Sequence, residues 1–264
     1  MLELISLAKA FPFEGDPSKE RRAIQDVNLH LADGDFLVVI GGNGSGKSTL
    51  LNLIAGTIRP DEGRVVLNGI DLNRLPERKR AKYIGRVFQD PKAGSIGDFT
   101  LFENLALAYN RGKPHTLRWS MTKDRRELFA KLLEPLGLGL EKRLDERMRT
   151  FSGGERQAAT LLMATFNDPK LLLLDEHTSA LDPKTSAMVM DLTDRFSKDI
   201  KGSTLMITHN LKDAIAHGNR LLMMKEGRIV YQCEGAEKAR LTMADLITRY
   251  TEEGLDSLGS SGLN

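Results

Sequence analysis

The segment Gly41-Gly42-Asn43-Gly44-Ser45-Gly46-Lys47-Ser48-Thr49 constrains this chain more than any other. It satisfies G-x-x-x-x-G-K-[ST], a loop whose glycines let the backbone wrap closely and aim its N–H groups at phosphate oxygens. Before it lies Phe36 to Ile40, a continuous apolar run with β-branched members that reads as a buried strand. After it, Ser48 to Ala55 has the spacing of a helix. Strand, glycine turn and helix in this order bring the positive end of a helix dipole to the bound anion. Lys47 is placed to reach the β- and γ-phosphates of a nucleotide, and the Ser48 hydroxyl to coordinate Mg²⁺.

Composition narrows the class. At 264 residues the chain suits one large domain or a domain with a subdomain. A hydrophobic content of 41% with a net charge of +2 supports collapse rather than disorder. Charge this close to balance argues against a dedicated nucleic-acid binder. The single cysteine, Cys233, excludes an intrachain disulfide framework and suits a reducing compartment. The opening Met1-Leu2-Glu3-Leu4 lacks the basic and apolar regions of a leader. Strongly apolar runs such as Leu171 to Leu174 fall far short of the roughly 20 residues a bilayer requires.

The chain reads as an early β-rich part, an α/β core, a helical insert and a return to the core. Residues 2–7 and 26–31 alternate as half-buried strands, and Phe11 to Arg22 reads as a charged loop between them. Arg64 to Leu67 and Ile84 to Phe88 are further strands. Leu101 to Tyr109, Lys123 to Leu136 and Glu155 to Phe166 have helical spacing. Strands resume at Leu171 to Leu174 and Leu205 to Ile207, around a helix near Lys184 to Phe196. Leu221 to Met224 and Arg228 to Tyr231 form a hairpin about Glu226-Gly227. Residues 242–250 read as a short helix, and the tail from Gly254 as Gly/Ser-rich and frayed. The basic run Arg78, Lys79, Arg80 and Lys82 reads as a solvated helix face.

A second chemical signal is Leu171-Leu172-Leu173-Leu174-Asp175-Glu176, an apolar strand ending in two acids. It suits a metal-linked aspartate, Asp175, beside a base, Glu176, that polarises an attacking water. A third is Phe151-Ser152-Gly153-Gly154-Glu155-Arg156-Gln157, which resembles the signature motif of ATP-binding cassette (ABC) ATPases. The resemblance runs in order along residues 2–232. Gln89 in Val87-Phe88-Gln89-Asp90 matches the family's Q-loop, Ser179-Ala180-Leu181-Asp182 its D-loop, and Thr208-His209 its switch histidine. An aromatic ahead of the phosphate loop matches the family's adenine-stacking residue. Phe11 and Phe13 both qualify, and the position just after the first strand favours Phe11.

The resemblance implies an α/β fold. Its P-loop NTPase core with a β-rich nucleotide-binding lobe covers residues 1–89 and 168–240. An inserted α-helical subdomain with the signature covers 90–167, and a C-terminal helix and flexible tail cover 241–264. It implies ATP and Mg²⁺, with Ser48, Gln89 and Asp175 toward the metal and Glu176, His209 and Gln89 as catalytic groups. It also implies that two copies pair head to tail around two ATPs. One chain then offers the phosphate loop from Gly41 to Thr49, and the other offers Ser152, Gly153, Gly154 and Glu155. Asp182 is expected to carry information across that dimer.

The chain departs from the family pattern at Phe151, where Leu is usual, at Glu155, where Gln is common, and at His177, where Pro is common. Neither signature change removes the serine or glycines. Glu155 is positioned to tune affinity, and His177 reads as a plain loop histidine rather than a titrating group. His30, His115 and His217 lack metal-ligand spacing, and Trp119 reads as a packing residue of the insert. With no spanning helix, such an ATPase is expected at the cytoplasmic side of the membrane, peripherally bound to a separate integral permease. Phe99, Leu101 and Phe102 are contact candidates. Glu146-Arg147-Met148-Arg149 before the signature lacks the acidic-glycine element of typical exporters, and a lone cassette resembles importers that work with an extracytoplasmic solute-binding protein. The finer pattern resembles a subgroup linked to amino-acid-like solutes, some aromatic. A soluble ABC ATPase of iron–sulfur cluster assembly is the alternative, since that class also favours Phe-Ser-Gly-Gly-Glu.

Overall fold

The computed structural model describes residues 1–13, 16–111 and 122–253. His115, Trp119 and the tail from Gly254 lie outside the described residues. In chain order the elements begin with strands β1 (Leu2–Phe13), β2 (Asp16–Leu31) and β3 (Phe36–Gly41), then helix α1 (Lys47–Ala55). Strands β4 (Glu62–Leu67) and β5 (Ile70–Asp71), the single turn α2 (Glu77–Arg80) and strand β6 (Ile84–Val87) follow. Helices α3 (Leu101–Tyr109), α4 (Lys123–Leu133) and α5 (Gly153–Thr165) lead to strand β7 (Leu171–Asp175) and helix α6 (Pro183–Asp199). The chain ends on β8 (Ser203–Ile207), α7 (Leu211–Ala216), β9 (Arg220–Lys225), β10 (Arg228–Glu234), α8 (Gly235–Arg240) and α9 (Met243–Glu252).

These elements divide into two compact units, Met1–Arg80 with the segment from Gly202, and Ala81–Lys201. In the first unit, β2, β1, β4 and β5 form an antiparallel sheet in that order. Leu2, Leu4 and Leu7 are buried on its inner face. Strict alternation would bury Ser6 rather than Leu7. A register shift between Leu4 and Leu7, with Ser6 at φ 45, moves the leucine inward. Where a loop is expected from Phe11 to Arg22, the described residues Phe11–Phe13 and Asp16–Arg22 are instead strand. Phe11 lies opposite Arg21, and Pro12 opposite Glu20. β4 pairs with β1 only as far as Ala8, so beyond that point the ladder is two-stranded. Charged side chains and a proline are compatible with such an edge, and their composition hid it.

The same unit holds β3 paired in parallel with β8 on one side and β9 on the other, and β10 antiparallel to β9. A strand enclosed by neighbours and covered on both faces must be apolar throughout. All six residues of β3 are buried accordingly. The basic run corrects another expectation. Arg78 and Lys79 are exposed, but Arg80 is only 2% exposed. Its guanidinium donates to the carbonyls of Leu53 at 2.8 Å, Ile54 at 2.9 Å and Leu75 at 3.0 Å. Two of these belong to the last turn of α1, whose carbonyls have no partner within the helix.

In the second unit β6 and β7 pair in parallel, and the four leucines of β7 are fully buried. Phe102, Tyr109, Phe129 and Phe166 form an aromatic cluster between α3, α4 and the end of α5, with Phe129 stacked on Phe166 at 5.8 Å. Helix α4 stops at Leu133, short of Leu136, because Pro135 turns the chain into a 3₁₀ turn closed by Gly137 at φ 71. Of the expected permease contacts, Leu101 is fully buried and Phe102 is 4% exposed, so neither can offer surface. Phe99 does, with Ile96 and Leu107 also exposed.

Candidate active site

The phosphate loop is built by what its neighbours exclude. Gly46 has φ 105, and a Cβ there would stand 2.5 Å from the Ala23 carbonyl oxygen. A Cβ on Gly41 would meet the Met224 carbonyl oxygen at 2.3 Å. The Gly227 amide donates to Ser45 O at 2.9 Å, and the Gln25 amide to Gly227 O at 2.8 Å. The loop is thus pinned from β2 and from the β9–β10 turn. No side chain caps the N-terminus of α1, whereas Thr100, Ser152, Asp182 and Thr242 cap α3, α5, α6 and α9. Uncapped first-turn amides and a narrow glycine cradle fit an anionic oxygen. Lys47 is 7% exposed, and its ammonium donates to Gly41 O at 2.8 Å and Gly42 O at 3.0 Å. Asn43, Gly44 and Ser48 are exposed, and Gly42 and Thr49 are partly so.

Two residues that sequence reasoning passed over support this loop. Arg80 caps the far end of α1, as described. Tyr250 on α9 is 4% exposed. Burial pushes its phenol up to about 12, and the Gly41 backbone opposes that shift. Phe11 is 36% exposed, with the Lys9 ammonium 5.3 Å from its ring centroid. The side chain of Phe13 lies outside the described residues. His209 is exposed at the end of β8, beside α7. There, burial raises the Asp213 carboxyl while His217 and His209 oppose the shift.

Within the second unit, Asp175 ends β7 and lies 3.6 Å from Arg86, whose guanidinium also covers the Phe88 ring at 4.6 Å. Glu176 follows at φ 44, a left-handed conformation that non-glycine residues seldom adopt. Gln89 is exposed, and its amide donates to Ser179 Oγ at 3.3 Å, joining the Q-loop and D-loop segments. Asp182 accepts from the Thr185 amide at 3.1 Å as the N-cap of α6. His177 does lie in the turn after β7, but it is buried there. It is 2% exposed and bonds Thr193 at 2.9 Å.

The signature residues start α5. Ser152 Oγ accepts from the Glu155 amide at 3.3 Å, and Glu155 accepts from the Ser152 amide at 2.8 Å, a reciprocal capping box. Burial works to raise the Glu155 carboxyl, but the Ser152 amide and hydroxyl and the Arg143 guanidinium outweigh it and hold it below its ordinary value. The same Arg143 lies over the Phe151 ring at 4.3 Å, so both departures from the usual signature meet one side chain. Ser152 and Gly153 are exposed, whereas Gly154 is buried. A Cβ on Gly154 would stand 2.0 Å from Thr185 Cγ2.

For Mg²⁺, a hydroxyl at Ser48, a carboxylate at Asp175 and an amide at Gln89 are the oxygen donors a hard cation takes, so the residues fit it chemically. Among the described residues no cluster of three or more His, Cys, Asp or Glu is set to hold a metal by itself. No helix among them is long and apolar enough to cross a membrane.

Comparison with known proteins identifies the class. Residues 24–179 match the ABC transporter family. The chain is 41% identical to a tyrosine transport ATP-binding protein of Clostridioides difficile, over 95% of this chain and 98% of that protein. It is 34% identical to the methionine import ATP-binding protein MetN of Vibrio vulnificus, over 80% of this chain but only 58% of that longer protein. A solved dimeric ATP-binding cassette, bound to ADP and Pi in a post-hydrolysis state, superposes with a TM-score of 0.75 at 28% identity. That likeness covers 89% of this chain and 98% of the cassette. The chain therefore belongs to the ABC transporter family, as an ABC-type ATPase subunit.

Proposed function

We propose that this chain drives a separate integral permease from the cytoplasmic face of the membrane, importing an amino-acid-like solute delivered by an extracytoplasmic binding protein. The observation that carries this reading is the 41% identity, nearly end to end, with a tyrosine transport ATP-binding protein. The transport roles of these relatives favour transport over iron–sulfur cluster assembly. In this proposal the ATP-binding core comprises 1–89 and 168–240, the helical subdomain 90–167 and a C-terminal helix and tail 241–264.

In the proposed mechanism two identical chains bind two ATPs head to tail. The amides of Gly41 to Thr49 and the Lys47 ammonium hold the phosphates, and Phe11 stacks on adenine. Ser48, Gln89 and Asp175 would hold Mg²⁺, which would supply positive charge against the nucleotide's phosphates. Glu176 accepts a proton from the attacking water, and His209 orients that water against the γ-phosphate. From the partner, Ser152, Gly153 and the first turn of α5 bring hydrogen-bond donors and a helix dipole to the same phosphate. Glu155 shapes this turn by capping it, and Asp182 links the hydrolytic state to the dimer contact. Gentle solubilisation and purification of the tagged chain tests the assignment. Recovery of an integral membrane permease supports it, and recovery of a soluble iron–sulfur scaffold complex instead would overturn it.

A further inference from the structure

His177 is a buried polar residue that the mechanism above does not use. Its neighbour Glu176 sits at φ 44, so the chain reverses direction immediately after β7. The turn is closed by the Ser179 amide on Glu176 O at 3.0 Å and the Leu181 amide on Thr178 O at 3.1 Å. Neither bond restrains the turn against the helix that follows. His177 does: its Nε2 lies 2.9 Å from Thr193 Oγ1, nearly three turns into α6. Thr193 is fully buried, and its hydroxyl donates to Val189 O at 2.9 Å. A hydroxyl has one proton. With that proton committed to Val189, the oxygen accepts from His177, and Nε2 carries the N–H.

We propose that His177 is a positioning residue for Glu176: by donating to Thr193 it fixes the turn after β7 to α6 and so sets the direction of the Glu176 carboxylate. The peptide joining Glu176 to His177 is the lever. If the imidazole is held, one side of the left-handed residue is held with it. The bond needs only a donor at Nε2, so the inference makes no use of a charge change at the ring. It rests on Glu176 being the hydrolytic base, and the test separates the two claims.

The test is steady-state ATP hydrolysis by the purified chain, with ATP affinity measured alongside, for His177→Ala, Thr193→Val, the double variant and His177→Gln. Glu176→Gln is the reference. Small displacements of a catalytic group lower turnover by about tenfold to a hundredfold. His177→Ala and Thr193→Val are each expected to lower kcat by about tenfold or more while KM stays within about twofold. The double variant is expected to be no slower than His177→Ala, because both remove one bond. His177→Gln is expected to recover most of kcat, since its amide can reach the same hydroxyl. Wild-type kcat in His177→Ala, multiplying losses in the double variant, or KM rising in step with the loss of kcat would each overturn the proposal. Should His177→Ala fail to fold, Thr193→Val, which exchanges a hydroxyl for a methyl, decides it by the same criteria. Wild-type turnover in Glu176→Gln would instead remove the base assignment itself, whatever the His177 variants do.

Discussion

Arg143 and Glu155 form an ion pair that ties the segment before the signature to the first turn of its helix. The same guanidinium bonds Glu146 at 2.8 Å and covers the Phe151 ring. Glu155 also closes the capping box with Ser152, so one carboxylate serves both an ion pair and the first turn of α5.

Replacing Glu155 by Ala should therefore destabilise the chain by about 1 kcal/mol, the usual cost of a lost cap. Glu155→Gln should keep the cap and lose the ion pair. The folded carboxyl lies below its ordinary value of 4.5. Its contribution is thus fully present above that value and is lost as pH falls through the lower folded pKa. Urea unfolding of wild type and Glu155→Gln from neutral to acidic pH checks this. The wild type should lose more stability on acidification than the variant, and parallel curves would contradict the account.

Arg80 makes a larger claim on stability. Arg80→Ala leaves the last carbonyls of α1 buried without their donor, at a cost of about 3 kcal/mol. Arg80→Lys should recover only part of this, because an ammonium lacks the planar fork that reaches three carbonyls. The urea midpoint should fall with the slope unchanged.

Gly154 and Thr185 make a complementary pair. Gly154→Ala forces a methyl onto Thr185 Cγ2 and should destabilise by about 1–3 kcal/mol. Thr185→Ala clears that space while keeping the backbone amide that Asp182 accepts. The double variant should melt well above Gly154→Ala alone, and strict additivity of the two losses would contradict the packing argument.

The motifs were legible because phosphate and metal chemistry demand particular residues at fixed spacing. The loop from Gly41 to Thr49 and the acids after Leu174 could be read without coordinates, as could β3, whose unbroken apolar run requires cover on both faces. What composition obscured was pairing. Phe11 to Arg22 carries loop-like charge, yet its described residues pair across β1 and β2, because backbone groups pair whatever their side chains at an edge. Arg80 looked solvated because nothing local announces that the carbonyls of Leu53 and Ile54 need a donor. The bond between His177 and Thr193 joins residues 16 positions apart in the chain, and local spacing carries no sign of it.

The central claim is that each ATP is hydrolysed by two chains, with Lys47 from one and Ser152 from the other. Mixing two inactive variants tests it most directly. Lys47→Ala and Ser152→Arg homodimers should each be nearly inactive. In a head-to-tail mixed dimer the Ser152→Arg chain still supplies Lys47, and the Lys47→Ala chain still supplies Ser152, so one site of the two is intact. The account predicts that coexpressed, doubly tagged mixed dimers hydrolyse ATP at a rate neither parent shows. Turnover no higher than that of the two parents would place Ser152 at its own chain's nucleotide and contradict the head-to-tail site.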